Sequence, residues 1–114
     1  MTDCLFCKIV AKQIPAQTVY QDELVTAFRD INPHAPTHIL IVPNQHISGA
    51  TALEATHAPT LAAMFALAKQ LAESEGLTAG GYRLVINEGP DAGQTVFHLH
   101  LHLLGGRQMG WPPG

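Results

Sequence analysis

The stretch FHLHLHLLGG, residues 97–106, decides the fold, because it alternates histidine with leucine in a chain that has seven histidines. Side chains of an extended strand point alternately to opposite faces, so His98, His100 and His102 would share one face. The leucines between them would share the other face and pack against a core. Imidazoles at such positions lie about 6.6 to 6.8 Å apart along the strand, close enough to share hydrogen bonds or a ligand.

A face of three histidines points to chemistry, since imidazoles perform acid–base, nucleophilic or metal-binding work near neutral pH. An ordinary polar strand face would more often carry Thr, Lys or Glu. Three same-face positions span about 13 Å, too far for all three side chains to bind one metal ion. The strand by itself therefore favours a nucleophilic imidazole whose neighbours fix its tautomer and move protons.

A chain of 114 residues is most simply a single domain, residues 1–114, with room for a hydrophobic core. Hydrophobic residues make up 46% and charged residues 13%, which favours an apolar patch that contacts a partner subunit. The net charge of −3 argues against nucleic-acid binding. A mononucleotide phosphate can still be held by backbone N–H groups and imidazoles.

The segment MTDCLFCKIV, residues 1–10, lacks the basic start of a secretory signal. No apolar run approaches the roughly 18 residues that a membrane span needs. These features predict a cytoplasmic protein with no membrane partner. Cys4 and Cys7 are then expected to be thiols or metal ligands rather than a disulfide.

Two helices are predicted. Residues 4–13 form a short one that Pro15 ends, with Leu5, Ile9 and Val10 on one face. The main helix runs from about Pro59, which suits a first turn, to Glu75, where Gly76 suits the stop. Its predicted apolar face comprises Leu61, Met64, Phe65, Ala68, Leu71 and Ala72.

Strands are predicted on both sides of the main helix: two around an Asp22-Glu23 turn within 18–30, then 38–43, 82–87 and 95–104. Consecutive strands with one long helix inserted are typical of an α+β fold with a mainly antiparallel sheet.

The loop INEGPDAGQT, residues 86–95, lies directly before the histidine strand. Gly89 and Gly93 let the backbone turn sharply and point N–H groups at an anion, and Asn87 and Thr95 add side-chain donors. An ordinary hairpin loop could have the same composition. Its position favours a phosphoryl group that the loop holds and a histidine attacks.

The segment HLHLHLL, residues 98–104, matches every position of the His-φ-His-φ-His-φ-φ motif, with φ apolar, of the histidine triad (HIT) proteins. Residues 28–48, 87–96 and 105–114 resemble segments of the histidine triad nucleotide-binding (Hint) branch, in the same order. The resemblance implies a HIT-like α+β fold: an antiparallel meander sheet with one long and one short helix. It also implies a homodimer that joins the sheets of two protomers.

The same resemblance implies an enzyme that binds purine nucleotides and hydrolyses nucleoside phosphoramidates, such as adenosine 5′-phosphoramidate, and aminoacyl adenylates. By position, His100 would be the nucleophile that forms a nucleotidyl-histidine intermediate. His102 would contact the phosphate, and His98 and His38 would complete the proton network. No cofactor would be required for catalysis.

The resemblance further implies that Asn87, Gly93 and Thr95 hold the phosphate and that Asp30 binds the ribose hydroxyls. The base pocket would be walled by Leu5, Phe6, Ile9, Ile14, Phe28 and Ile31. Two departures stand out, since Thr95 occupies the place of a usual Ser and Gly110 that of a His common before WPPG.

Cys4 and Cys7 form a C-x-x-C pair. A thioredoxin-like redox pair needs a preceding strand, and none fits upstream. Some bacterial HIT proteins and related nucleotidyltransferases carry such a pair, which implies a structural zinc held by Cys4, Cys7, His46 and His98. Two buried thiols acting as small hydrophobes are an equal alternative.

Two other functions stay open. Other HIT branches are nucleotidyltransferases or dinucleoside polyphosphate hydrolases, although the tail GGRQMGWPPG weighs against them. The third hypothesis is a nucleotide-sensing or interaction module whose catalysis is incidental.

Overall fold

The computed structural model describes residues 3–114 and contains one five-stranded antiparallel sheet. Its strands are β1 (Thr18–Gln21), β2 (Val25–Arg29), β3 (Thr37–Pro43), β4 (Tyr82–Val85) and β5 (Leu101–Gly105). The helices are α1 (Leu5–Val10) and α2 (Ala58–Ser74), and short 3-10 turns lie at Ala50–Ala52, Ala55–His57 and Pro90–Ala92. This architecture confirms the predicted α+β fold with one long and one short helix.

The strand order across the sheet is β1-β2-β3-β5-β4. The first three strands form a meander, and Asp22 closes the first turn by accepting hydrogen bonds from the N–H groups of Leu24 and Val25. The chain then passes through α2, and β5 inserts between β3 and β4. The strand that ends the histidine segment therefore lies in the interior of the sheet.

The leucines of the histidine segment face α2, as predicted. Leu99, Leu101 and Leu103 are buried in one core cluster with Met64 and Leu67 of that helix. A smaller apolar cluster, formed by Phe6, Phe28, Leu40 and Val42, brings α1 together with β2 and β3. The histidines alternate with the leucines and so belong to the α1 side of the sheet.

The predicted strand 95–104 begins too early, because ladder pairing with β3 starts only at Leu101. Pro43 ends β3 and has no N–H group with which to extend the ladder. The N–H group of Leu99 instead donates to the carbonyl of Ile47 at 2.6 Å. Residues 95–100 are thus held by loop contacts rather than by a neighbouring strand.

The first helix is shorter than predicted. It ends at Val10, well before Pro15, and Lys12 then adopts a positive φ of 61°. Leu5, on the predicted apolar face, is 46% exposed, whereas Phe6 is buried. The short helix packs on the sheet through Phe6, with Ile9 and Val10 partly buried beside it.

The long helix matches its predicted span within one residue at each end, and Gly76 follows it with a φ of +73°. One residue of its predicted face is wrong, because Phe65 is 46% exposed. The buried side of the helix includes Thr60 and Leu67, so it is rotated relative to the predicted face. Neither helix in the described part of the chain has the length and apolarity that a membrane crossing requires.

Candidate active site

A cleft of about 430 Å³ opens on the α1 side of the sheet, and we call it the histidine cleft because His100 and His102 line it. Asp30, which follows β2, and Thr95, which precedes the histidines, line it as well. The remaining predicted residues that line it are the apolar ones, Leu5, Phe6, Ile9, Ile14, Phe28 and Ile31. The fold thus brings ten predicted site residues, distant in sequence, to one concave surface.

The ring of His100 is held in one orientation and one tautomer. Its Nδ1 atom lies 2.7 Å from the carbonyl oxygen of His98, so Nδ1 carries the proton and donates it. The ring of Phe6 packs against it edge to face, with centroids 5.0 Å apart. In the neutral ring, Nδ1 therefore holds the single proton and Nε2 holds the lone pair, which is the state that a nucleophilic imidazole requires.

A chain of hydrogen bonds fixes the opposite tautomer on His102. The backbone N–H of His34 donates to Nδ1 of His38 at 3.1 Å, so His38 carries its proton on Nε2. That Nε2–H donates to Nδ1 of His102 at 2.9 Å, which leaves the His102 proton on Nε2. We call Asp30, His38 and His102 the histidine relay.

The Nε2 atom of His102 is buried, and no residue within 3–114 forms a hydrogen bond with it. An unpaired buried N–H group is costly, about 1–3 kcal/mol, and an anionic oxygen in the cleft would satisfy it. Asp30 contacts the relay through His38, since its Oδ2 atom lies 3.6 Å from His38 Nε2. The 2.9 Å separation between His38 Nε2 and His102 Nδ1 is that of a hydrogen bond, shorter than the about 3.3 Å expected between two nitrogens bound to one zinc ion.

Burial keeps the two imidazoles of the relay neutral. Burial first, and then repulsion from the neighbouring His100 and His38, lowers the pKa of His102 to about 4, although the charge of Asp30 opposes that shift. Burial also lowers the pKa of His38, although the negative charge of Asp30 opposes that shift. Both imidazoles are therefore uncharged at neutral pH, as the assigned tautomers require.

Asp30 forms a turn as well as lining the cleft. Its Oδ1 atom accepts a hydrogen bond from the N–H of Asn32 at 2.8 Å, and its own N–H donates to the carbonyl of His38. The second carboxylate oxygen, near His38, faces the relay. Ile31 is 97% exposed and borders the cleft only at its surface.

Asn87 and Gly93 are not among the described residues that line the histidine cleft, so the geometry leaves their phosphate role a prediction. Gly93 has a φ of +84°, a backbone conformation that favours glycine and turns the chain toward Thr95. The buried side chain of Gln94 holds this loop. Its Oε1 accepts from the N–H of Gly89, and its Nε2 donates to the carbonyl of Ser48, each at 2.9 Å.

The second group of side chains is the thiol–histidine cluster, formed by Cys4, Cys7, His46 and His98. Nδ1 of His98 lies 3.3 Å from Cys4 Sγ and 3.5 Å from Cys7 Sγ, and Nδ1 of His46 lies 3.3 Å from Cys7 Sγ. His98 donates its Nε2–H to the carbonyl of Pro43 at 2.8 Å, which directs its Nδ1 lone pair at the thiols. The four ligand atoms all lie within 4.8 Å of one another.

These positions fit a zinc ion. Zinc–sulfur bonds of about 2.3 Å and zinc–nitrogen bonds of about 2.0–2.1 Å place sulfur and nitrogen about 3.5 Å apart in a tetrahedron. The observed separations of 3.3 to 3.5 Å are close to that value. Without a metal, burial and the neighbouring Cys4 raise the pKa of the Cys7 thiol, which keeps it protonated.

His98 belongs to this cluster by its side chain and to the cleft only by its backbone. Its ring is fully buried, and burial lowers its pKa. Its carbonyl oxygen is the acceptor for Nδ1–H of His100. The predicted proton-transfer role of the His98 ring stays a prediction, and the ring contacts the thiols rather than His100 or His102.

A family model described as HIT domain matches residues 11–109 of the chain. The chain belongs to the HIT family. The purine nucleoside phosphoramidase of Escherichia coli (strain K12) is 50% identical over 108 residues, which cover 95% of this chain and 91% of that protein. A 14 kDa zinc-binding protein of Zea mays is 54% identical over 112 residues, covering 96% of this chain and 87% of that protein.

Solved HIT structures agree with the fold. A crystal structure of a HIT family hydrolase from Legionella pneumophila Philadelphia 1 superposes with a TM-score of 0.97 at 53% identity. The superposition covers 98% of this chain and 100% of that one. These relatives confirm the predicted family and its Hint-like branch.

Sequence analysis assigned no role to several residues of this HIT site, among them Leu40, Val96 and Gln94. Leu40 and Val96 line the cleft, and Gln94 anchors the glycine loop. Leu40 was predicted only as part of a buried strand, and it became a wall because β3 turns that residue toward α1. Gln94 gave a weak signal, since an amide amid glycines is also a common surface-loop residue.

Proposed function

We propose that this HIT protein is a hydrolase that cleaves the P–N bond of purine nucleoside phosphoramidates through a nucleotidyl intermediate on His100. One observation carries the proposal: neutral His100 has its lone pair on Nε2 in the same cleft in which the buried N–H of His102 has no partner among residues 3–114. A nucleophile beside a donor for the developing negative charge is the pair that attack at phosphorus needs. The similarity to a named purine nucleoside phosphoramidase supports it.

In the first step, the lone pair of His100 Nε2 forms a bond to phosphorus while the P–N bond of the substrate breaks. The electron pair of that bond leaves with the amine nitrogen, which takes up a proton from solvent water. The His102 Nε2–H would donate to a phosphoryl oxygen as charge develops there. We propose that Asn87, Gly93 and Thr95 contribute further donors to the same phosphate.

In the second step, water attacks phosphorus and loses one proton to solvent, and the His100–phosphorus bond breaks. The nucleotide is released, and the electron pair returns to Nε2. The Nδ1–H bond to the His98 carbonyl persists through both steps and stabilises the positive charge on the ring of the intermediate. No cofactor enters either step.

The nucleoside would bind in the apolar part of the histidine cleft, with Asp30 accepting hydrogen bonds from the ribose hydroxyls. Aminoacyl adenylates share the nucleotide half and would bind in the same way. The walls formed by Phe6, Ile9 and Phe28 suit a flat purine ring, which is held mainly by apolar contact.

Turnover of a fluorogenic adenosine phosphoramidate by wild type and His100→Ala tests the proposal. We expect the variant to lose about 10³-fold or more in kcat while its affinity for AMP changes less than about threefold. Faster turnover of diadenosine polyphosphates would favour the nucleotidyltransferase or polyphosphate hydrolase alternative. AMP binding with no turnover of any of these compounds would favour the nucleotide-sensing module.

A second proposal concerns the thiol–histidine cluster, which we propose binds a structural zinc ion. The separations of the four ligand atoms and the similarity to a protein named for zinc binding support it. Four protein ligands leave no open coordination position, so the ion would stabilise α1 against the sheet rather than activate a substrate. Elemental analysis of protein purified without added metal should find about one zinc per chain, and less than a tenth of an equivalent would refute this.

We also propose a homodimer and a cytoplasmic location. The sheet edge formed by β4 and the half-exposed rings of Phe65 and Tyr82 support the first, as they offer backbone and apolar groups to a second copy. Cys4 and Cys7 support the second, since they form no disulfide and a reducing compartment would keep both available as zinc ligands. Sedimentation at micromolar concentration would distinguish the dimer from a monomer.

A further inference from the structure

A second cavity of about 380 Å³ adjoins the histidine cleft. Leu5, Thr95 and Val96 line both cavities, so the two meet at these residues. The far side of the second cavity is formed by Asp3, Ser48 and Phe97, with Cys4 and His46 at its border with the thiol–histidine cluster. We call it the Asp3 cavity.

The Asp3 cavity lies next to the place where the phosphorus end of a substrate would bind. If the proposed function holds, phosphorus lies at His100, His102 and Thr95, and the nucleoside occupies the apolar part of the cleft. The leaving amine is attached to phosphorus and must extend away from the nucleoside. Thr95 borders the Asp3 cavity at the phosphorus end, so this cavity can receive the organic group of the amine.

The lining of the cavity indicates which amines suit it. Leu5 and the exposed ring of Phe97 offer apolar walls, whereas Asp3 offers a carboxylate and Ser48 a hydroxyl. A cavity lined by both a carboxylate and a hydroxyl favours a cation that donates hydrogen bonds. No Lys or Arg lines the cavity within the residues that the structure describes, so no side chain of fixed positive charge opposes it there.

We propose that the Asp3 cavity is the subsite for the leaving amine and that it favours amines bearing a second, positively charged group. This inference rests on the proposed phosphoramidase function and adds a substrate class to it. The carboxylate of Asp3 binds the distal ammonium, Ser48 accepts a hydrogen bond from it, and Leu5 and Phe97 contact the intervening carbons.

Three adenosine phosphoramidates that differ only in the substituent on nitrogen test the proposal: 2-aminoethyl, propyl and 2-carboxyethyl. We expect wild-type kcat/KM to decrease in that order. In Asp3→Asn, the preference for 2-aminoethyl over propyl should fall about three- to fivefold, the size expected for an exposed charge contact. Comparing variant with wild type on each substrate cancels the different intrinsic reactivity of the three P–N bonds.

Glu23→Gln is the matched control, because Glu23 is an exposed acid in the β1–β2 turn and lines neither cavity. It removes the same charge and should keep the wild-type preference. Ser48→Ala should lower the preference less than Asp3→Asn does. A melting temperature for each variant shows that the chain is folded.

Turnover of all three substrates without a charge preference, or a preference that Asp3→Asn leaves intact, would overturn the subsite while the phosphoramidase function stands. An equal loss of the 2-aminoethyl preference in Glu23→Gln would also overturn it, since the change in the net charge of the protein would then explain the result. Failure of wild type to cleave any of the three would remove the phosphoramidase function and this subsite with it.

Discussion

The thiol–histidine cluster and the histidine cleft use neighbouring imidazoles of one short segment for different chemistry. His98 gives its Nε2–H to a backbone carbonyl and turns its Nδ1 lone pair toward two thiols. His100 does the reverse, giving Nδ1–H to a carbonyl and keeping the lone pair on Nε2. His102 accepts at Nδ1 and keeps an N–H group. The partner of one ring nitrogen therefore decides whether the other acts as ligand, nucleophile or donor.

Among tests of this comparison, substitution of His102 is expected to have the largest effect on kcat. His102→Ala removes the buried donor and should lower kcat by about 10² to 10³, the usual effect of losing one preorganised donor to a developing charge. His102→Gln retains an N–H group and should be impaired less, within about tenfold of wild type. Steady-state kinetics on a fluorogenic adenosine phosphoramidate measures both, and equal losses in the two variants would contradict the donor role.

The next largest effect is expected from a substitution that changes the thiol–histidine cluster and leaves the histidine cleft unchanged. Cys4→Ser keeps an oxygen that can cap α1 but replaces a strong zinc ligand with a weak one. We expect zinc content to fall from about one per chain to near zero and the melting temperature to decrease, because the ion no longer holds α1 on the sheet. The loss of kcat should be much smaller than that of His102→Ala, since zinc is absent from the proposed reaction.

Chelation of the wild type gives the corresponding comparison without a substitution. EDTA should lower the melting temperature of the wild type and change that of Cys4→Ser little. Immediate loss of activity on chelation, before any unfolding, would contradict the assignment of separate roles to the two groups.

The smallest effect concerns pH. Burial depresses the pKa of His102 to about 4 in the folded protein, whereas an unfolded histidine titrates near 6.5. As the pH falls from about 6.5 toward 4, the unfolded chain binds a proton that the folded chain does not, so stability decreases. With allowance for partial solvent exposure, His102 contributes about 1 kcal/mol of this loss between pH 7 and pH 5.

Urea unfolding at pH 7, 6 and 5 measures that loss. His102→Gln should flatten the pH dependence of the free energy of unfolding, whereas His57→Gln, outside both groups, should not. A wild-type free energy of unfolding that rises as the pH falls through this range would contradict the depressed pKa values.

The periodicity of apolar residues predicted those parts of the fold that depend only on the local geometry of a strand or helix. The alternation in 97–106 correctly assigned the leucines to the core, because side chains of an extended chain alternate whether or not a ladder forms. The start of β5 could not be found in this way, since it depends on where pairing with a different strand, β3, ends. The exposure of Phe65 was missed because the stripe of a helix is set by the surface it packs on.

The candidate site was predicted largely through the resemblance to HIT proteins, which named ten residues that now line one cleft. The tautomers of the histidines and the contact of the His98 ring with the thiols could not be predicted. Both depend on backbone carbonyl groups that the fold brings close to the rings. Gln94 went unnoticed for the same reason, as its partners at Gly89 and Ser48 are backbone groups.

Locating the covalent intermediate tests the central claim most directly. Wild type is mixed with excess adenosine phosphoramidate, quenched within milliseconds under alkaline denaturing conditions that preserve phosphorus–histidine bonds, digested and mapped by mass spectrometry. The account predicts an adenylyl group on His100 alone. An adenylyl group on any other residue, or rapid turnover with no protein-bound nucleotide at any time point, would contradict it.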